Sequence, residues 1–103
     1  MIIAVDFDGT LAITEYPKII SPIIRVIDFC KGRRAFGDTL ILYTCREGKE
    51  LEDALKWCKL YDLTFDYVNE NPPDRIAVYG DCRKIYADIY IDDHNWSLSR
   101  ITD

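Results

Sequence analysis

Asp6 and Asp8 flank a single phenylalanine, Phe7, and close the apolar run Met1-Ile2-Ile3-Ala4-Val5. An apolar run bounded by a turn signal reads as a buried strand. Side chains alternate along a strand, so Asp6 and Asp8 are expected on one side and Phe7 on the other. Two neighbouring carboxylates repel. They are tolerated where a cation sits between them, or where chemistry needs them. Taken alone, paired aspartates after a strand are also ordinary caps and turn formers. Two other runs raise them above that. Thr39-Leu40-Ile41-Leu42-Tyr43-Thr44 ends in Thr44, Cys45 and Arg46, and Ala87-Asp88-Ile89-Tyr90-Ile91 ends in Asp92 and Asp93.

If these runs are neighbouring parallel strands, four carboxylates and a hydroxyl converge at one edge. Such oxygen donors suit Mg²⁺, which takes few ligands from protein and keeps room for water and a substrate phosphate. Asp6, Asp8, Asp92 and Asp93 are the candidate ligands. A carboxylate beside bound Mg²⁺ can also attack a phosphoryl group to form an aspartyl phosphate. That chemistry needs a further cation against the transferred oxygens. Lys84 fits best, with Arg83 and Arg46 behind it. Thr44 and Cys45 stand where the phosphate would bind. Singly, Thr44 is an ordinary strand-end residue and Lys84 a solvated lysine. Arg46 reads equally as a phosphate contact or a surface salt bridge. His94, beside the acidic pair, reads first as a surface or capping residue. Trp57 and Trp96 read as core and rim residues before they read as a platform for stacked bases.

The elements that must position these groups follow in order. Residues 9–16 read as a loop with room for a small hairpin. Ser21-Pro22 predicts a helix start, serine as N-cap and proline at the first helical position. Ile20, Ile23, Ile24, Ile27 and Cys30 predict its buried face, and Gly32 its end. A strand over 39–44 and a second helix from about Glu47 to Tyr61 come next. Leu51, Ala54, Leu55 and Cys58 form that helix's apolar stripe. Residues 65–68 read as a short third strand, 69–73 as a loop, and Ile76-Ala77-Val78-Tyr79 as one more short apolar run. Alternating strands and helices predict an α/β fold with a central parallel sheet, its functional crevice at the carboxyl ends of the strands.

Composition narrows the classes. The 103 residues suffice for one domain, residues 1–103, with a single core. Apolar residues make up 49% and charged residues 30%, a globular balance that argues against wholesale disorder. A net charge of -5 does not suit nonspecific binding to nucleic acid or to an anionic membrane. The chain enters a strand at once, with no basic leader and no apolar span, so a cytoplasmic protein is expected. Cys30, Cys45, Cys58 and Cys82 form no C-x-x-C pair, which predicts reduced, mostly buried thiols and no zinc site.

The stretch Asp6-Phe7-Asp8-Gly9-Thr10-Leu11 resembles the first motif of the haloacid-dehalogenase (HAD-like) phosphatase superfamily. Thr44 after Leu40-Ile41-Leu42-Tyr43 looks like the second motif, Lys84 like the third, and Ile89-Tyr90-Ile91-Asp92-Asp93 like the fourth. The likeness spans residues 1–93 in the right order. Lys84 stands closer to Asp92 than its counterpart does in many relatives. Ile76 to Asp81 is a competing fourth motif, without a second acidic residue at the usual short spacing.

The resemblance implies a three-layer, Rossmann-like domain and an Mg²⁺-dependent phosphomonoester hydrolase. Asp6 would be the nucleophile. Asp8 would be general acid and then base. Thr44 would hydrogen-bond the phosphoryl group, and Lys84 would neutralise it and orient Asp6. Asp92 and Asp93 would hold Mg²⁺ with Asp6 and the Asp8 carbonyl. Gly9 and Thr10 would support the turn. Relatives usually carry a cap domain after the first motif or after the third strand. Neither residues 11–19 nor 69–83 can hold one, since a folded domain needs about 50 residues. A capless site implies a phosphorylated macromolecule, a nucleic-acid end or a nucleotide as substrate, or a homo-oligomer whose neighbour supplies the lid. Two alternatives stand beside hydrolysis. One is a non-catalytic Mg²⁺/phosphate-binding or phosphoryl-accepting module; the other is a phosphotransferase using the same aspartyl phosphate.

Overall fold

The computed structural model describes residues 1–79 and 85–92, with residues 77–79 as backbone. Four parallel strands form the sheet: β1 (Ile2–Val5), β4 (Thr39–Leu42), β5 (Tyr67–Val68) and β6 (Ile89–Ile91), in the order β5-β4-β1-β6. The apolar strand at the N-terminus is thus central. Val5 pairs with Leu42 on one side and with Ile91 on the other. Chain segments ending in Asp6, Thr44 and Asp92 therefore leave the sheet at the same edge.

Alternation along the strands divides the core. Ile3, Val5, Leu40, Leu42 and Ile91 pack on one face with Val26, Ile27 and Cys30 of helix α1 (Ile24–Ala35) and Ala54 and Cys58 of helix α2 (Gly48–Leu60). Ala4 and Ile41 face the other way, against Ile85 and Ala87. The chain runs β1 to β4 to β5 in one direction. It then returns past β1 to β6 through helix α3 (Pro73–Tyr79). Right-handed crossovers place that return on the opposite face. The run Ile76 to Tyr79 is helical, not a strand, so it does not end at the sheet edge as a fourth motif must.

Residues between β1 and α1 form an antiparallel hairpin, β2 (Ala12–Glu15) and β3 (Lys18–Pro22). This moves the predicted helix start. Ser21 pairs with Ile13 and Pro22 with Ala12, so both belong to the strand, and α1 begins two residues later without a side-chain cap. The Ile23 amide instead donates to the Leu11 carbonyl at 2.9 Å, tying the helix entry to the hairpin. The buried face shifts accordingly. Val26, Ile27 and Cys30 are inward, whereas Ile20 and Ile24 are half exposed. Nor does Gly32 end the helix. Ala35 does, and Gly37, at φ +100°, follows the C-cap. The Gly37 amide bonds to the Arg34 carbonyl and the Asp38 amide to the Arg33 carbonyl, the two bonds that let a positive-φ residue close a helix.

At the amino end of the sheet, Asp66 accepts from the Leu40 amide at 2.8 Å and from Arg34 Nη2 at 3.0 Å. Burial pushes the Asp66 carboxyl up, but Arg34 and the Leu40 amide outweigh it and hold it below its ordinary value. A depressed folded-state value stabilises the fold above the unfolded value, about 3.9, and that contribution is lost as pH falls through the folded value. The urea midpoint is therefore expected to fall on acidification below pH ~4. Asp66→Asn should flatten part of that slope. An unchanged acid limb in the variant would show that this cluster does not contribute.

Candidate functional site

The order of connections reverses between β1 and β6, and the crevice of an open α/β sheet lies at such a reversal, beyond the carboxyl ends of the strands. Asp6 and Asp92 stand there on adjoining strands, each one residue past the Val5–Ile91 pair, and the Asp6 amide donates to the Ile91 carbonyl at 2.9 Å. Asp6 Oδ1 accepts the Phe7 amide at 2.7 Å, which turns the carboxylate back on its own main chain.

Regular strand geometry stops at Val5, so simple alternation does not extend through Asp8. Phe7 is fully buried and meets Trp57 of α2 edge-on, with ring centroids 5.6 Å apart. Its carbonyl accepts the amides of Thr10, Leu11 and Ala12. A chain folded so tightly needs Gly9 at φ +79°, whose amide reaches the Ala12 carbonyl at 2.8 Å. Thr10 lies fully buried behind this turn, its hydroxyl without a hydrogen-bond partner among the described residues.

The Asp8 carboxylate is engaged on both oxygens. Arg46 Nε donates to Oδ2 at 2.9 Å and Nη2 to Oδ1 at 2.7 Å, a bidentate fork. Thr14 of β2 adds a third donor to Oδ1 at 2.8 Å. The Arg46 guanidinium holds the Asp8 carboxyl below its ordinary value, against a smaller opposing effect of burial. Arg46 is thus not a surface salt bridge but a buried one. Its side chain is 1% exposed, and Nη1 donates to the carbonyls of Pro17 and Glu50 at 3.2 and 3.3 Å. The guanidinium lies between the rings of Phe7 and Tyr16, at 4.9 and 5.0 Å.

Thr44 lies just past β4. Its amide donates to Asn69 Oδ1 at 2.8 Å, and its hydroxyl oxygen accepts the Arg46 amide at 3.1 Å. Cys45 is exposed beside it. Asn69, at φ +53°, also gives its amide to the Leu42 carbonyl and so fastens the end of β5 to the end of β4. Sequence reasoning left Asn69 in a loop. Its residue type was the available signal, since asparagine tolerates the left-handed region. Nothing in the sequence marked Thr14. Lys84, Asp93, His94 and Trp96 lie outside the described residues.

Among the described residues, no three His, Cys, Asp or Glu side chains gather as a ligand cluster. What the reversal does bring together is two carboxylate residues, Asp6 and Asp92, on adjoining strands one residue past the Val5–Ile91 pair. Few protein oxygens, with room for water, is a donor set that fits Mg²⁺ better than Zn²⁺ or a thiolate-bound metal. Among the described residues no helix is long and apolar enough to cross a membrane.

No protein-family model matches the chain, and no curated protein matches its sequence. A solved structure does: the conserved protein coded by a locus from Bacteroides thetaiotaomicron, 38% identical, with a TM-score of 0.81. The match covers 94% of this chain and 78% of that one. With that identity sustained over nearly the whole fold, the chain belongs to the same family as this conserved Bacteroides thetaiotaomicron protein.

Proposed function

We propose that the chain is an Mg²⁺-dependent, HAD-like phosphomonoester hydrolase. The observation that supports the reading is the central place of β1, directly paired with β4 and β6, so that the segments carrying Asp6 and Asp8, Thr44, and Asp92 leave the sheet at one edge. Asp6 attacks phosphorus, a bond forms to its carboxylate oxygen, and the bond to the leaving oxygen breaks. Asp8, which its pairing with Arg46 keeps ionised at rest, must first take up a proton from solvent; it gives that proton to the leaving oxygen, then takes one from the water that hydrolyses the aspartyl phosphate. Thr44 donates its hydroxyl proton to a phosphoryl oxygen, because its oxygen already accepts from the Arg46 amide. Cys45 follows it at the phosphate end. Asp6, the Asp8 carbonyl and Asp92, with Asp93, would hold Mg²⁺, which when bound offsets the negative charge of the phosphoryl group. Lys84 would add a second positive charge.

Only a two-stranded hairpin follows the first motif among the described residues, which favours a phosphorylated macromolecule, a nucleic-acid end or a nucleotide over a small, enclosed metabolite. A neighbouring copy of the chain could cover the site instead. Free Cys30, Cys45 and Cys58 are in keeping with a cytoplasmic setting. Phosphate release from phenyl phosphate, with and without Mg²⁺, tests the reading. Mg²⁺-dependent turnover is expected, and its absence on aryl, nucleotide and 5′-phosphorylated oligonucleotide substrates alike would refute it. A second reading draws on the engaged Asp8 carboxylate: a slow hydrolase would keep the phosphoryl group as a signal. Stable phosphorylation of Asp6 without release would favour that module.

A further inference from the structure

We infer that Arg46 is the positioning residue for Asp8, and that through it the β2–β3 hairpin and the start of α2 decide where the proton donor stands. The inference rests on the hydrolase reading above and names a residue that reading does not use. Asp8 lies past the end of β1, in a turn, where the sheet no longer dictates side-chain direction. Something else must aim it. Arg46 meets both carboxylate oxygens through a planar fork, which sets the plane of the carboxylate as well as its distance. The guanidinium is itself fixed from three directions: by the Pro17 carbonyl at the hairpin tip, by the Glu50 carbonyl in α2, and by the rings of Phe7 and Tyr16. Thr14, from the hairpin strand β2, holds Oδ1 a second time.

This arrangement leaves the guanidinium poorly placed as a substrate clamp. It is buried, and its donors end on the Asp8 carboxylate and the Pro17 and Glu50 carbonyls. Its influence on the reaction runs through Asp8. When Asp6 attacks, the electron pair of the breaking bond goes to the leaving oxygen, and the proton from Asp8 must arrive there. A leaving group that is stable as an anion departs without that proton. A poor leaving group does not. In this first half-reaction misplacing Asp8 therefore costs most on the poor leaving group, whereas a general loss of structure costs both alike; hydrolysis of the aspartyl phosphate is the same step for both substrates and does not discriminate.

Arg46→Lys keeps a positive charge but not the fork. With phenyl phosphate, the single-turnover rate of phenol release is expected to fall about 100-fold, and the substrate concentration for half-maximal rate to change less than about threefold. With 2,4-dinitrophenyl phosphate the fall in the single-turnover rate of leaving-group release should stay below about fivefold. Thr14→Val, on a partly exposed hairpin strand, should show the same pattern at smaller amplitude, and it decides the matter if Arg46→Lys does not fold. Asp8→Asn, which keeps an acceptor for the guanidinium, is the reference. If Asp8→Asn discriminates between the two substrates and the Arg46 and Thr14 variants do not, the role of Arg46 is structural and the inference falls. If Asp8→Asn slows single-turnover release of the leaving group equally on both substrates, Asp8 is not the proton donor, and the underlying mechanism falls with it.

Discussion

Asp6→Asn is expected to lower Mg²⁺-dependent phosphate release by about 10³-fold or more while leaving the fold intact. An amide oxygen is a far weaker nucleophile than a carboxylate and forms no stable acyl phosphate. The substitution is nearly isosteric. Its oxygen can still accept the Phe7 amide, and the Asp6 main chain keeps its bond to Ile91. Without metal, the change also removes one of two carboxylates that stand on adjoining strands. The free energy of unfolding should therefore stay within about 1 kcal/mol of the parent. Inorganic phosphate release and urea denaturation read the two halves separately. Undiminished Mg²⁺-dependent turnover would sink Asp6 as the nucleophile, and a large loss of stability would show that the carboxylate is a structural ligand.

The Asp8–Arg46 pair should respond asymmetrically. The Asp8 side chain is 31% exposed, whereas that of Arg46 is 1% exposed. Remove the guanidinium, and the carboxylate can still be hydrated. Remove the carboxylate, and a charged group stays buried with only two main-chain carbonyls and two ring faces around it. Breaking a buried pair by deleting one partner costs about 3–5 kcal/mol when the other charge is stranded. Asp8→Ala is expected near that range, held towards its lower end by the bonds to Pro17 and Glu50. Arg46→Met keeps the apolar stem against Phe7 and should cost less, about 1–3 kcal/mol. Urea midpoints at unchanged m-value measure both. If Arg46→Met proves as costly as Asp8→Ala, packing rather than charge compensation holds this part of the site.

The residues at the strand ends were legible because a buried parallel strand announces itself as an apolar run, and its polar terminus marks the functional edge. Val5-Asp6, Leu42 to Thr44 and Ile91-Asp92 could each be found this way. The helix boundaries were less legible. Ser21-Pro22 has the local chemistry of a helix start, yet the pairing of β3 with β2 overrides it, since strand bonds and burial exceed the contribution of one cap. Gly32 is likewise a weaker stop than Gly37, because only at Gly37 does the chain turn into the positive-φ region.

By itself the sequence determined the alternation of strands and helices, the apolar content of the sheet, and the carboxylates and hydroxyl at its strand termini. Those features are local: each follows from the period and type of a few consecutive residues. Tertiary structure alone decided that β1 lies between β4 and β6, and that Arg46 lies beneath Asp8, 38 residues away in the chain. Partner choice across such a distance depends on which donors the fold buries together, and no local pattern carries that information.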